Sequence, residues 1–539
     1  MQRTALQLLG LVLLANISSA AHKDERLGFT IQTPNKWTEV PVGGDDRWMV
    51  GKYMSDRTYT WNGGKDDWPR EHKPDMQMIA FVEAAVREKA KLIQKEKRNG
   101  RTEWVVAFES PYKDYKDYLT KRYTGGGWFI TEEKEDKVGD VPVTCYQIKV
   151  EKASWDGPKH LVAWVYHVAD VDVAVQFEAL EDTWPKLQSE FLRCLRSFKS
   201  VARSGEALYE PSTSADRFQW EDEDTLSPDQ RRSRRATLEK AAQDRAVEKL
   251  PDGWTSKKMG RFLVLNHADD KFAKRIVEQA DAVWRWLDET FEFLGPKEYV
   301  RSPILRICKD RAEYDAYCKG QDWYSANDLE IATYDDNGGS TSYQYKWVNQ
   351  NVLRIWLNDR DRGLSLAMPG WIGYGLLNLV ENIRLKNGKF SFRKDDWDRD
   401  SVREAARGGD ATRAKDLFVM SGEKYWQDYV KMQEASQLVD YLAARGGARD
   451  KRTKELLPEY MKNLVEVVSE IRKEEETSKG KDEAKPKTEA EEDAMFKKRR
   501  QSYKVKEQRI LEDTFRRTFG AWSDADWKSF EAAYDKAVH

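Results

Sequence analysis

The chain has 539 residues, and its 91 basic and 93 acidic side chains give a formal net charge of −2. This balance provides no electrostatic reason to expect nucleic acid or an anionic membrane surface as a partner. A hydrophobic fraction of 40% is enough to build packed cores, and the length predicts about two to four domains.

Residues 1–20 have the three-part pattern of a secretory signal peptide. Arg3 precedes the apolar run Ala5–Ala15, and the small residues Ser18 and Ala20 suit a cleavage site. The run is shorter than the roughly 20 residues that span a bilayer. The alternative is a short buried helix. We therefore expect a secreted or periplasmic (extracytoplasmic) protein that is cleaved near Ala20 and has no membrane span.

Residues 27–201 show the pattern of an α+β domain. The helix Trp184–Phe198 follows predicted strands at Gly28–Trp37, Gln77–Val82, Thr102–Phe108, Val141–Val150 and Leu161–Phe177. The opening G-F-x-I-x-x-P-x-x-W and the closing Leu195–Lys199 (LRSFK) resemble PsbP-like domains of bacterial secreted proteins. The resemblance implies an antiparallel sheet with helices, and a binding or assembly module without catalytic residues.

Two segments have the composition of linkers or inserts. Residues 202–250 combine Ser, Pro and many charges with a polar helix at Pro228–Lys249, and we interpret them as a charged linker. Residues 473–506 are rich in Lys and Glu and poor in apolar residues, so they cannot bury a core. For this low-complexity insert, disorder and a solvated helix both stay open.

A second domain is predicted over 251–472, resumed at 507–539. Its predicted elements begin with small strands and end with helices, in the order strand Phe262–Leu265, helix Ala273–Phe293, strand Ile304–Cys308, helix Arg311–Cys318, and strands Leu329–Tyr334 and Val352–Leu357. From there on the pattern is helical. The complete chain is thus predicted to be α+β, with a small sheet preceding the helices of its second domain.

The segment Pro369–Leu376 (PGWIGYGL) opens an apolar helix, for which a buried amphipathic helix is the simplest interpretation. With its flanking elements it also resembles gluzincin-type (peptidase MA-like) metallopeptidase domains. Active members carry H-E-x-x-H on the preceding helix, where two His bind zinc and the Glu is the general base. Their third ligand, a Glu, corresponds to Tyr374 here.

The zinc ligands implied by that resemblance are absent from the sequence. The eleven residues Asn358–Met368 contain neither His nor Glu, and no two of the six His are three or four residues apart. The phenol of Tyr374 is a poor ligand, because it must first lose a proton with a pKa of about 10. We expect no metal and no cofactor, and a degenerate domain from which the H-E-x-x-H helix is missing.

Four cysteines remain after export, which permits two disulfides in an oxidising compartment. The domain boundaries pair Cys145 with Cys194 and Cys308 with Cys318. Unpaired buried thiols remain an alternative, since a chain of this length does not depend on disulfides.

These patterns predict an exported, non-catalytic protein that binds an unidentified peptide or protein, or serves as an envelope or extracellular scaffold. Asp359, Asp361, Trp371 and Tyr374 are the candidate binding residues around the former metal cleft. The alternative is a zinc-independent hydrolase that uses Asp359 and Asp361 just before Pro369. Those two Asp residues also fit a simple turn at the end of a strand.

Overall fold

The computed structural model describes most of the chain, and the predicted signal segment 1–20 lies outside the described residues. The described ranges are 21–42, 48–63, 69–82, 103–106, 112–123, 127–151, 157–168, 171–203, 209–212, 227–248, 250–294, 303–318, 330–336, 342–386, 389–393, 396–478 and 489–538. By their contacts the residues form two units. The first is Met1–Trp254 with Ala312–Trp323, and the second is Thr255–Arg311 with Tyr324–His539.

The elements up to residue 248 all belong to the first unit. They are β1 (Ala21–Asp24), β2 (Phe29–Gln32), β3 (Trp37–Val40), β4 (Met49–Ser55), β5 (Tyr59–Trp61), β6 (Arg70–His72), β7 (Asp75–Val82), β8 (Glu103–Val106), α1 (Tyr115–Arg122), β9 (Trp128–Val138), β10 (Val141–Val150), β11 (Lys159–Val168), β12 (Val171–Leu180), α2 (Trp184–Arg196), β13 (Lys199–Ser200), β14 (Tyr209–Ser212) and α3 (Pro228–Glu248).

A seven-stranded antiparallel sheet in the order β3-β4-β7-β12-β11-β10-β9 is the centre of this unit. The predicted single strand Leu161–Phe177 was wrong, because the segment forms the two strands β11 and β12. Both are buried at nearly every position. A central strand that is covered on both faces has a continuous apolar run, and this run concealed the connection between them.

The later elements form the second unit, except that α5 belongs to the first unit from Ala312 onward. They are β15 (Thr255–Met259), β16 (Phe262–Asn266), α4 (Asp270–Thr290), β17 (Ile304–Cys308), α5 (Arg311–Cys318), β18 (Glu330–Tyr334), α6 (Ser342–Ala367), α7 (Gly370–Glu381), β19 (Ile383–Lys386), β20 (Lys389–Phe392), α8 (Asp396–Gly408), α9 (Ala414–Phe418), α10 (Gly422–Tyr425), α11 (Tyr429–Ala444), α12 (Gly446–Arg449), α13 (Leu456–Ser478), α14 (Glu489–Phe519) and α15 (Asp524–Val538).

A four-stranded mixed sheet, β15-β16-β17-β18, precedes the helices. Its first pair is antiparallel and the other two are parallel. One apolar face of α4 completes the core of the sheet, with Ile276, Val283 and Leu287 fully buried. The predicted α+β class, with an antiparallel N-terminal sheet and a mainly helical C-terminal region, is confirmed.

The predicted strand Val352–Leu357 was wrong, because these residues lie inside the helix α6. Five of the six are apolar and buried, and a short apolar run has the same sequence pattern in a strand and in a buried helix. A helix therefore does precede Pro369. The expectation that this helix is missing is corrected, although α6 contains no His and no Glu.

The described part of the Lys/Glu-rich insert is helical. It forms the end of α13 and the first half of α14, two helices that pack side by side. Arg509 binds Glu474 at 2.8 Å, Lys506 binds Glu475 at 2.9 Å, and Arg517 binds Glu470 at 2.6 Å. Within the insert, Glu474 and Glu475 form their contacts through such exposed ion pairs, which agrees with the solvated helical alternative.

Candidate functional site

Two buried amide groups, Asn349 on α6 and Gln279 on α4, form hydrogen bonds around the end of α7. Nδ2 of Asn349 donates to the carbonyl of Val380 at 2.8 Å. Nε2 of Gln279 reaches Oδ1 of Asn349 at 3.2 Å and the carbonyl of Ile383 at 2.9 Å. Because both amides are buried, they satisfy polar groups that would be costly to leave unpaired. This cluster was not predicted from the sequence.

Two glycines let α7 pack closely against its neighbours. A Cβ on Gly370 would lie 2.6 Å from the ring of Tyr425. A Cβ on Gly375, the position after Tyr374, would overlap the side chain of Val439 on α11. Gly370 and Gly375 thus serve helix packing.

Trp371, predicted to line a cleft, is a core residue. Its side chain is 1% exposed and contacts the rings of Phe418 and Tyr460 edge-on, at centroid distances of 4.7 and 4.9 Å. Edge-to-face contacts of this kind are typical of buried aromatic clusters. Trp371 therefore has no surface to offer a ligand.

The two candidate Asp residues have different surroundings on α6. Asp359 is buried, with 3% of its surface exposed. Asp361 has extended backbone angles (φ −159°, ψ 99°) and so separates α6 into two helical segments. Its Oδ1 accepts from the Leu364 N–H at 3.0 Å, as an N-cap of the second segment. Its carboxylate also binds both terminal nitrogens of Arg472, at 2.8 and 3.1 Å.

Tyr374 is the candidate residue that lies next to an exposed surface. Its half-buried ring lies 6.4 Å from the ring of Tyr425 and 6.2 Å from that of Trp426. Trp426 is 59% exposed and Tyr429, at the start of α11, is 58% exposed. We call the contacting pair Tyr374 and Trp426, together with Tyr429 three positions further along the chain, the aromatic surface.

The helix α14 lies beside the aromatic surface. The Gly422 N–H donates to Oε1 of Glu507 at 2.6 Å, and Lys504 binds Glu423 at 2.6 Å. Another exposed aromatic residue, Tyr503, precedes Glu507 by one helical turn and is 72% exposed. In the sequence, the signal for this site was Y-W-Q-D-Y (425–429). Its residues Trp426 and Tyr429 do not follow the apolar period of the helix α11.

The residues around Tyr374 do not fit a zinc ion. The helix α6 supplies no His or Glu, and the sole acidic residue of α7, Glu381, is at its C-terminal end next to Gln350 and Lys346. Within the described ranges, no group of three or more His, Cys, Asp or Glu could hold a metal.

The first unit contains a buried polar cluster that the sequence analysis missed. Lys159 binds Glu178 at 2.6 Å, with side chains 6% and 0% exposed, and the Tyr123 hydroxyl donates to Glu178 at 2.8 Å. The hydroxyls of Tyr115 and Tyr118 donate to Gln176 and Gln77. Burial raises the pKa of the tyrosines well above the ordinary value, so they remain donors.

The predicted disulfide between Cys145 and Cys194 is not formed. Both are free thiols, Cys145 on β10 and Cys194 on α2, and burial raises their pKa values to about 11 and about 12. The high pKa disfavours the reactive thiolate. Cys308 is buried at the end of β17 and Cys318 is half-buried at the end of α5. Their pairing stays a prediction.

Among the described helices, none combines the length and apolar character needed to cross a membrane. No family model and no curated protein matches the chain. Among solved structures, it is similar to the cyanobacterial PsbP protein (CyanoP) of Synechocystis sp. PCC 6803. The identity is 14%, the match covers 36% of this chain and 99% of the other, and the TM-score is 0.24.

A second similar structure is LpqN of Mycobacterium tuberculosis, described as involved in cell envelope biogenesis. It is 11% identical over 32% of this chain and 83% of its own, with a TM-score of 0.20. A third, PA94 of Pseudomonas aeruginosa, is 5% identical over 34% and 97%, with a TM-score of 0.17. At these values the likenesses carry no argument about family or function.

Proposed function

We propose that this chain is a non-catalytic interaction protein whose second unit binds a peptide or protein segment over the aromatic surface. The observation that carries the proposal is the contact between Tyr374 and the exposed Trp426. The gluzincin-type resemblance assigns the position of Tyr374 to a zinc-binding Glu. In this chain Tyr374 occupies that position, and its ring contacts the exposed indole of Trp426.

The physical basis is the way that large aromatic side chains bind. Trp and Tyr present rigid apolar faces with a polar group at one end, and they are enriched where binding energy is concentrated in protein interfaces. Trp426 and Tyr429 keep more than half of their surface in water. The ring of the buried Tyr425 lies 5.0 Å from that of Trp426, in an edge-to-face arrangement.

The hydrolase alternative has less support. The carboxylate of Asp361 already caps a helix and binds Arg472 through two nitrogens, which is a typical structural role for such a pair. Asp359 is buried away from solvent. Both observations favour a structural role of the two residues over activation of water.

Screening a phage-displayed library of random peptides on the full chain would test the proposal. We expect enriched peptides to lose at least about tenfold in affinity for Trp426→Ala, because truncation of a central aromatic residue commonly costs about 1.4 kcal/mol or more. Tyr343→Ala is the matched control, since Tyr343 is 62% exposed at the start of α6. Equal affinity for wild type and Trp426→Ala would contradict the proposal.

A peptidase assay separates this function from catalysis. We expect no cleavage of a fluorescent casein substrate with or without added zinc. Stoichiometric zinc in the purified protein, together with chelator-sensitive cleavage, would establish the metallopeptidase instead. Cleavage without zinc that is abolished in Asp359→Asn would favour the alternative hydrolase.

We further propose that residues 1–20 direct export and are removed after Ala20. The support is the charge, the apolar run and the small residues of that segment. The N-terminal sequence of protein recovered from outside the cytoplasm should begin at Ala21. An intact Met1 there would contradict cleavage.

A further inference from the structure

Among the described strands, β9 is one of the two edges of the seven-stranded sheet. It is 11 residues long and follows β10 at the end of the strand order. All six residues from Glu132 to Lys137 are exposed. A long edge strand presents a row of backbone N–H and C=O groups that can pair with another strand.

The charges of β9 are arranged almost symmetrically about Glu135. In an antiparallel pair of two identical strands related by a two-fold axis, residues at equal distances from the axis lie opposite each other. With the axis at Glu135, Lys134 faces Asp136 of the second copy, and Glu133 faces its Lys137. Each pair occurs twice, so four opposite-charge pairs surround one like-charge pair, Glu135 with its own copy.

The neighbouring registers of the two β9 strands bring fewer opposite charges across from each other than the register at Glu135. An axis at Lys134 would place Lys134 against itself and Glu133 against Glu135, so that the central pairs all repel. An axis at Asp136 keeps Glu135 opposite Lys137 but places Asp136 against itself. Opposite charges directly across a strand pair stabilise it and like charges destabilise it, so the pattern selects the register at Glu135.

The contacts that these side chains make within one chain do not block the pairing. Lys134 binds Asp136 at 3.3 Å and Lys116 binds Glu133 at 2.9 Å, both between exposed groups. Exposed ion pairs contribute little free energy, so their exchange for pairs across the edge is inexpensive. The hydroxyl of Thr144 donates to Glu135 at 3.0 Å and keeps that side chain on its own sheet face.

Edge strands often carry Lys, and β-bulges, to prevent pairing. β9 has both, with a register shift opposite Gln147 and Ile148. The shift lies at Thr131, before the charged run, and leaves Glu132–Val138 in regular register with β10. Each Lys of the run faces an acidic residue in the register at Glu135, so these charges do not oppose pairing with a second copy.

We propose that β9 pairs antiparallel with β9 of a second copy of this chain, with Glu135 at the two-fold axis, and joins two seven-stranded sheets into one. This inference goes beyond the proposed function. Because a single strand pair makes a small interface, we expect a dissociation constant on the order of 10 µM.

A charge-swap series tests the pairing by sedimentation equilibrium of the full chain, from about 1 to about 200 µM, a range that brackets this constant. Lys134→Glu places two carboxylates opposite each other twice, and Asp136→Lys does the same with two ammonium groups. We expect each single variant to dimerise about tenfold more weakly than wild type. The double variant restores both pairs in reversed order, and its constant should return to within about threefold of wild type.

A variant at the axis provides an independent measurement. Glu135→Gln removes the like-charge pair and should tighten the dimer. Circular dichroism of each variant confirms that it is folded. A chain that stays monomeric at all concentrations overturns the proposal, as does a dimer that the single variants leave unchanged or that the double variant fails to recover.

Discussion

Arg472 on α13 donates two hydrogen bonds to Asp361 on α6, at 2.8 and 3.1 Å, across 111 positions of sequence. The same carboxylate caps the second segment of α6 through the Leu364 N–H. A residue that looks like part of an acidic site in the sequence therefore connects two helices. Its role can be measured as stability.

We expect Asp361→Asn to lower the free energy of unfolding by about 1–2 kcal/mol, since it removes the charge-assisted pair and weakens the cap. Urea denaturation followed by circular dichroism measures the change. Asp400→Asn is the control, because Asp400 is 74% exposed and lies 3.5 Å from Arg403. Its loss should change stability by less than about 0.5 kcal/mol. Equal effects of the two variants would contradict a structural role of Asp361.

Two glycines of α7 provide a matched pair of substitutions. Gly375→Ala should destabilise the protein by about 1–3 kcal/mol, because the new Cβ would overlap Val439 and lie 2.9 Å from the Ala435 carbonyl oxygen. Gly373→Ala should be neutral or stabilise by up to about 1 kcal/mol, since its nearest neighbour is Met368 at 3.7 Å and Ala favours helix. Thermal unfolding of both variants checks the opposite signs. A neutral Gly375→Ala would show that α11 moves away readily.

The buried pair of Lys159 and Glu178 should show strong coupling. Lys159→Met leaves the Glu178 carboxylate buried without its cation, and we expect a loss of about 3–5 kcal/mol. The double variant Lys159→Met/Glu178→Leu should be more stable than the single variant, because it also removes the uncompensated charge. The exposed pair of Lys121 and Asp117 is the control, and Lys121→Met should cost less than about 1 kcal/mol. Additive effects in the buried pair would contradict the coupling.

His160 should make the stability of the first unit depend on pH. Its ring stacks on Trp184 at 4.2 Å, and burial, assisted by Lys149, lowers its pKa from 6.5 to about 4. The unfolded chain therefore binds more protons than the folded chain between those values. The stabilising contribution is complete above about pH 6.5 and is lost as the pH falls towards 4.

We expect wild type to lose about 2 kcal/mol more than His160→Phe between about pH 7.5 and about pH 4.5. Phe keeps the stacking contact with Trp184 but cannot titrate. Urea denaturation of both proteins at the two pH values isolates the contribution of His160 from that of the carboxylates. Parallel losses in the two proteins would show that the ring is not protonated on unfolding.

Local patterns in the sequence were sufficient for elements that have one covered face or clear boundaries. Ile304–Cys308, Arg311–Cys318 and Val141–Val150 have the bounds predicted for them. Each shows a periodic pattern or ends at polar residues, and such signals are local. Val352–Leu357 carries no such signal, and only the packing around it made the segment helical.

The candidate site depended on contacts between residues far apart in the chain. The sequence placed Tyr374 where the gluzincin-type resemblance has a ligand, but it could not show that Trp371 turns into the core while Tyr374 faces Trp426. Trp371 and Tyr374 are three residues apart and lie on one side of α7. What covers each ring is decided by distant segments, Phe418 and Tyr460 for Trp371 and the Tyr425–Trp426 segment for Tyr374.

The sequence by itself determined the charge balance, the signal-like first twenty residues and most element types. It also determined that the segment Asn358–Met368 contains neither His nor Glu. These are properties of composition or of neighbouring residues. Only the tertiary structure decided that Asp361 binds Arg472, that Lys159 and Glu178 form a buried pair, and that β9 ends the sheet as an exposed edge. The free energy of an ion pair or an open edge depends on burial, and burial is a property of the folded chain.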